Sequence, residues 1–517
     1  MATLLLAALA AAADRELTGR VVDANTGEPI ARAHLTIRFF QGQSVPEATL
    51  LTDADGNFKI TDLPASGFQV FCEKTGYLAA NQGMPPASPS NTADGRSTAT
   101  MVLKMTAQAA IEGTVVDDRN LPSQGAYLQL VRQQVVNGRL RWQPAQGAAT
   151  DETGYFRVFG LPAGRYYISV SGRIMGGRSS KALAYAPFYY PSGTEIAAAQ
   201  PVDLKAGDDA EIKIQLPEPV TAYTVSGVVA TAGQNANVSL MRQTATSTFE
   251  QYAGGVKWDA RTKTFQISHV TPGTYLLQVM VPLDHGFTYA STTISVGSAD
   301  VAGIRLEPAE MKIEGTVRLE DSTATQRVAG FISAQSDRNG NGGQVDGDGK
   351  FQIPTMQPGT YRIVPQITGV QSCVRSVLSG GRDVRDGLTV TPGVAVDPLD
   401  IVMTTHCGSI DVSLTPSDTP LPLNLTAYLL RKVGDDFVLE KQGFPGPRSN
   451  DGSEHFLLRG VAAGDYVVYV WPNDAQIEYA NADYMRQFSS YGQSVTVSDD
   501  SKTPVTVDKV LLPPAKN

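Results

Sequence analysis

Five histidines, His34, His269, His285, His406 and His455, are the chain's entire supply of imidazole. A zinc hydrolase would need His and Glu at ligand spacing plus a catalytic Glu, because three protein ligands must hold the metal and leave one position open. None of the five is followed by Glu two or three positions on, and they are scattered along the chain. The sequence also has no G-x-S-x-G elbow, no phosphate-cradling G-x-x-x-x-G-K and no C-x-x-C pair. The expectation is a non-enzymatic chain with no catalytic residue and no cofactor.

One stretch has the right oxygens for a hard cation. Asp337-Arg338-Asn339-Gly340-Asn341-Gly342, with Asp348 at the twelfth place, follows the alternate-ligand pattern of a calcium loop. That pattern normally sits between helices and ends in a bidentate Glu. Here it lies between expected strands with neutral Asn at two ligand positions, so a hairpin loop rich in Asn and Gly is the favoured reading.

Three cysteines leave at least one unpaired within the monomer. Cys72 falls at an inward position of an expected strand, where a thiol acts as a small core hydrophobe. Cys373 and Cys407 are 34 residues apart on segments that can be neighbouring strands. In an oxidising compartment they can close a loop, and otherwise they stay as thiols.

Two aromatic clusters are candidate ligand-binding surfaces: Tyr185, Phe188, Tyr189 and Tyr190 between prolines, and Tyr479, Tyr484, Phe488 and Tyr491 near the C-terminal end. Flat rings can stack on sugar faces. The same rings would be packing if their loops fold back over their own sheets, and packing is favoured. Trp142 and Trp258, on expected hairpin strands, carry the same two readings.

The elements that position these residues come from an internal repeat. Its five copies are TDADGNFKITDLPASGFQVFC (52–72), TDETGYFRVFGLPAGRYYISV (150–170), DARTKTFQISHVTPGTYLLQV (259–279), VDGDGKFQIPTMQPGTYRIVP (345–365) and SNDGSEHFLLRGVAAGDYVVYV (449–470). An anchor aromatic, Phe58, Phe156, Phe265, Phe351 or Phe456, is followed ten residues later by Phe68, Tyr166, Tyr275, Tyr361 or Tyr466. Two residues past each anchor and two past each second aromatic, the chain is again apolar, and steps of two define one face of a strand. Asp-rich turns such as Asp53 to Gly56 precede the anchor, and a glycine marks the turn before the second aromatic. An opening strand recurs 36 to 48 residues upstream of the anchor: GRVVD (19–23), GTVVD (113–117), SGVVA (226–230), GTVRL (315–319) and GSIDV (408–412).

A chain of 517 residues exceeds one core, and 49 Gly with 31 Pro supplies many tight turns. The fold class expected is all-β: five tandem antiparallel β-sandwiches at 14–105, 106–217, 218–308, 309–404 and 405–517. With a net charge of −9 and no basic stripe, a nucleic-acid partner is excluded. Residues 1–13, MATLLLAALAAAA, have the apolar run and small-residue end of a secretory signal without its positive start, so they are expected to be a truncated or atypical signal. No later stretch reaches the roughly 18 apolar residues of a membrane span.

Together the G-x-V-x-D opening and the D-x-x-G-x-F to G-x-Y block resemble the carboxypeptidase-regulatory-like domain, a transthyretin-like β-sandwich. The match is closest in the first two copies; the third lacks Gly two residues before Phe265, and the fifth has a divergent opening at Gly408. The stretches 185–208, 373–390 and 478–497 further resemble secreted bacterial proteins built from tandem units of this type. The resemblance implies an extracytoplasmic location, whether secreted, periplasmic or at the cell surface, and no intrinsic reaction. The function expected is structural, adhesive or partner-binding, with an extracellular protein as partner; the alternative is carbohydrate binding through the aromatic loops, accessory to an envelope or polysaccharide-processing system.

Overall fold

The structure, a computed structural model, describes residues 15–39, 47–61, 68–84, 90–91, 97–172, 182–231, 233–243, 249–251, 255–283, 286–320, 328–336, 340–354, 357–415, 425–446 and 454–512. The expected signal segment lies outside them. Strands dominate; among the described residues the one α-helix is Ala482–Arg486, five residues long. No helix there is long and apolar enough to cross a membrane.

Alternation in the sequence becomes alternation in burial. In Tyr155–Leu161, Phe156 and Val158 point into the core while Tyr155 and Arg157 face water. The same pattern, exposed then buried, runs through Asn57–Ile60 and Lys350–Pro354.

Each copy of the repeat builds one sheet in the same way. The opening strand lies between the anchor strand, antiparallel to it, and the last strand of the copy, parallel to it. In the first copy Arg15–Asp23 pairs with Asn57–Ile60 and with Ser97–Met105. Ala109–Val116 pairs in this manner with Tyr155–Leu161 and Asp209–Gln215, and Tyr223–Val229 with Thr264–Val270 and Val301–Leu306. Lys312–Leu319 pairs with Lys350–Pro354 and Leu399–Thr404, and Gly408–Leu414 with His455–Val461 and Lys502–Val507. A second sheet forms around the strand that carries the second aromatic, as where His34–Phe39 pairs with Phe68–Glu73. The fourth copy differs. There Gly340–Val345 pairs with strands of both sheets, joining them into one nine-stranded sheet.

The chain divides into two compact units. The first comprises Met1–Arg132, Pro144–Arg173 and Tyr185–Pro219; the second comprises Gln133–Gln143, Ile174–Ala184 and Val220–Asn517. The first unit holds two separate hydrophobic cores, around Phe58 and around Phe156 with Tyr166. Among the described residues the second holds four, around Phe265 with Tyr275, Phe351 with Tyr361, Phe456 with Tyr466, and Trp471 with Phe488. All nine of the repeat rings among these are buried, and the tyrosines at 166 and 275 are fully so. The side chain of Phe68 lies outside the described set, although its backbone pairs with Phe39 as the repeat requires.

A buried phenol needs a partner. Tyr166, Tyr275, Tyr361 and Tyr466 each donate to the carbonyl oxygen four residues back, those of Pro162, Thr271, Gln357 and Ala462, at 2.7 to 2.8 Å. This bond closes the turn between the anchor strand and the tyrosine strand, in the manner of the tyrosine corner of immunoglobulin-type sandwiches.

The Asp turn is equally regular. Oδ1 of Asp53 accepts from the N–H groups of Asp55 and Asn57, and Oδ1 of Asp151 from those of Thr153 and Tyr155. Gly56, Gly154 and Gly349 then adopt φ of +74°, +76° and +78°, and their carbonyls accept from Val21, Val115 and Val317 of the opening strands. The third copy has Lys263 where the first, second and fourth have glycine. It takes the same left-handed conformation, φ +57°, and accepts the same bond from Val229.

The fifth opening corrects an expected equivalence. In the first four copies the opening glycine, Gly19, Gly113, Gly227 or Gly315, stands directly across from the anchor phenylalanine. Gly408 instead pairs with Val461, and Val412 stands across from Phe456. The GSIDV motif is therefore displaced by four residues along its strand, and a Cβ at Gly408 would come within 2.2 Å of the Val497 side chain and 3.0 Å of the Ser498 carbonyl oxygen.

Candidate functional site

The first aromatic cluster is assembled by the chain that follows the second tyrosine strand. Phe188–Tyr189 forms a short strand on the edge of Gly164–Ser171, pairing Phe188 with Val170 and Tyr189 with Ser169. The Tyr190 N–H donates to Ile168 at 3.0 Å, and its own carbonyl accepts from Gln200. Pairing at this edge leaves the rings buried. Tyr185 is 9% exposed and Phe188 5%, both in the core around Phe156, and Tyr189 is 0% exposed. All three rings are taken up by packing in this structure. Tyr190 stays half-buried beside them.

The second cluster covers the outer face of the last sandwich. Along Gly464–Pro472, Tyr466, Val468 and Val470 face the core while Tyr469 and Trp471 face the other way. On that outer side Trp471 stacks on Tyr428 with centroids 3.8 Å apart, and Tyr479 lies 6.4 Å from Trp471. The chain from Ala475 to Tyr491, including the short helix, folds over this face. Asn481 caps that helix by accepting from the Tyr484 N–H at 3.3 Å. Phe488 is buried between Tyr484 and Tyr491, at centroid distances of 5.2 and 5.9 Å. Tyr479, Tyr484 and Tyr491 are half-buried at its rim. Burial raises the phenol pKa of Tyr428, Tyr469 and Tyr484.

Tyr428, Tyr469 and Trp471 are central to this cluster, and the motif reading passed over them. Their signal is in the sequence: TAYLL (426–430) and YVVYVW (466–471) are continuous apolar runs, as a strand covered on both faces must be.

The other candidates separate. Cys373 and Cys407 are joined in a disulfide, with Cα atoms 5.9 Å apart, which ties the strand Cys373–Ser379 to the start of the last sandwich. Cys72 is a buried thiol 3.4 Å from the sulfur of Met105, and burial pushes its pKa up to about 11. In the calcium-like stretch Asp337 and Asn339 lie outside the described residues. Asn341 sits within the strand Gly340–Val345 and gives its amide to the Pro354 carbonyl at 2.7 Å, while Asp348 belongs to the following Asp turn, where its N–H donates to Asp346.

His34 lies on a strand of the first sandwich, and His269 is 3.1 Å from the Ser268 hydroxyl. His406 meets Asp500 at 2.6 Å and His455 meets Asp411 at 3.2 Å; His285 lies outside the described residues. No group of three metal-ligating side chains occurs among the described residues. Trp258 gives its indole N–H to the Gln234 carbonyl at 3.0 Å and packs on the third core, and Trp142 lies on the strand Arg139–Ala149.

Residues 16–104 match the carboxypeptidase regulatory-like domain family. No curated protein matches the chain. Among solved structures, the chain is similar to GBS52, the minor pilin of Streptococcus agalactiae, at 16% identity over 40% of this chain and 98% of that one, with a TM-score of 0.22. The shaft pilin SpaA of Lactobacillus rhamnosus GG is 13% identical over 40% of this chain and 98% of its own, with a TM-score of 0.20. The TIE protein of Bacillus anthracis is 13% identical over 75% of this chain and 72% of its own, with a TM-score of 0.17.

Proposed function

We propose that the chain is a non-enzymatic structural or adhesive protein that works outside the cytoplasm, holding a partner surface on β-sandwiches in series with bounds near residues 105, 217, 308 and 404. The observation that carries this reading is the Cys373–Cys407 disulfide between the fourth and fifth repeats. Such bonds persist in oxidising compartments, and one placed at the junction of two repeats resists their separation. The residue types that looked available for chemistry support the same reading, since the aromatic loops and repeat tyrosines are taken up in construction.

The test is thiol trapping in native cells. The chain should be found in the envelope or medium with Cys373 and Cys407 protected from maleimide until reductant is added. Recovery in the cytosol with both thiols reactive would sink the proposal. Crosslinking in the native envelope then identifies the partner.

Carbohydrate binding is the second reading, and it now rests on the half-buried rings Tyr190, Tyr479, Tyr484 and Tyr491. A glycan array with the Tyr190→Ala and Tyr491→Ala variants decides it. Saturable binding weakened by either change supports it, and silence across the array removes it.

A further inference from the structure

Where the fourth and fifth repeats meet within the second unit, a cavity of about 120 Å³ is lined by more positive than negative charge. Its origin is a β-bulge. In the pairing of Leu425–Val433 with Asp436–Gly443, Leu430 stands across from Leu439 and Leu429 from Lys441, so Glu440 is the extra residue. An inserted residue breaks strict alternation, which lets the consecutive Glu440 and Lys441 both line the cavity.

Glu440 is saturated with cations. Its side chain is 9% exposed; Oε1 accepts from Arg431 at 2.6 Å, and Oε2 accepts from Arg385 at 2.8 Å and lies 3.5 Å from Arg362. Arg431 is also paired with Asp386 at 2.6 Å. Those two charges cancel, which among the described residues that line the cavity leaves Arg362, Arg385 and Lys441 against Glu440 alone. The wall of the cavity therefore carries an excess of two positive charges.

The surplus has donors to spare. Arg362 gives one N–H to the Leu439 carbonyl, but its Nε is buried with no hydrogen-bond partner among the described residues. The Lys441 ammonium has Glu440 as its electrostatic neighbour and makes no hydrogen bond or ion pair within the described residues. It lies over Gly460, where a Cβ would come within 3.3 Å of Nζ, so the missing side chain makes room for the ammonium. Burial lowers the Lys441 pKa, the direction expected of a cation short of counter-charge.

We propose that this cavity binds a small oxyanion, with the charge and size of phosphate or sulfate, between Arg362, Arg385 and Lys441. Its volume is several times the roughly 10–15 Å³ that one water needs. A dianion would neutralise the excess of two charges, and the arginine forks match tetrahedral oxygens.

Titrating the full-length, disulfide-bonded chain with inorganic phosphate or sulfate at constant ionic strength, with chloride as control, tests this. Saturable heat and a rising unfolding midpoint are expected for the oxyanions and not for chloride. Lys441→Gln should weaken phosphate binding about tenfold or more while leaving the anion-free midpoint equal or higher, because it removes an unbalanced buried charge. A structural role for Lys441 would lower that midpoint. If the variant fails to fold, ³¹P line broadening on the unmodified chain decides alone. Absence of saturable binding in the millimolar range, or binding unchanged in a folded Lys441→Gln protein, would overturn the proposal.

Discussion

Gly227 stands directly across the sheet from Phe265, and a Cβ placed on it would lie 2.8 Å from the ring's Cζ and 2.3 Å from the Ile304 carbonyl oxygen. The glycine makes room for the anchor ring on one side and the parallel closing strand on the other. Gly19 has the same relationship to Phe58, at 2.4 Å. Gly227→Ala is therefore expected to destabilise its sandwich by about 1–3 kcal/mol through overpacking. Gly297, which has open space around it, is the control: Gly297→Ala should stay within about 0.5 kcal/mol in urea unfolding.

Tyr275→Phe removes a hydroxyl that donates to the Thr271 carbonyl at 2.8 Å and sits 3.0 Å from the Thr271 hydroxyl, both fully buried. The partner groups cannot recover water. A loss of about 1–3 kcal/mol is expected from chemical denaturation. Tyr127→Phe, at a phenol 45% exposed, should cost little.

Hydrogen bonds hold three turn carboxyls below their ordinary pKa: the Asn57 N–H at Asp53, the Thr153 hydroxyl at Asp151 and the Thr262 N–H at Asp259. A depressed folded pKa means that the contribution is present above the unfolded value near 3.9 and is lost as pH falls through the folded value. Stability should decline below about pH 4. In Asp151→Asn, which keeps the acceptor oxygen but does not titrate, that decline should be shallower in acid unfolding curves. An unchanged slope would show that this turn does not contribute.

Phe488→Ala should strip the cover from the outer face of the last sandwich, at a cost of about 3–5 kcal/mol for a buried ring. Trp471 reports on this directly. With Trp142 and Trp258 replaced by Phe, its emission should shift to the red and proteolysis between residues 473 and 492 should accelerate.

The anchor and second-aromatic spacing was legible in the sequence because a strand's two-residue alternation and a tight turn are local. The Asp turn at Asp151 and the glycine across from Phe156 follow from the same local rules. Gly408 was misaligned because a slide along a strand leaves its alternation intact, and only the partner strand sets register. Lys263 was legible as a departure, but its adoption of the glycine conformation was not.

By itself, then, the sequence determined that this chain folds into repeated β-sandwiches whose cores are built on paired aromatics. Chemistry that depends on distant residues was decided by the tertiary structure. Whether Tyr189 or Tyr190 is buried depends on the edge strand it joins, and the Cys373–Cys407 bond depends on two segments meeting. The surplus charge around Lys441 arises because a bulge at Glu440 faces arginines 55 and 78 residues earlier in the chain, Arg385 and Arg362. Alternation is written between neighbours, whereas exposure and charge balance depend on everything that packs against a side chain.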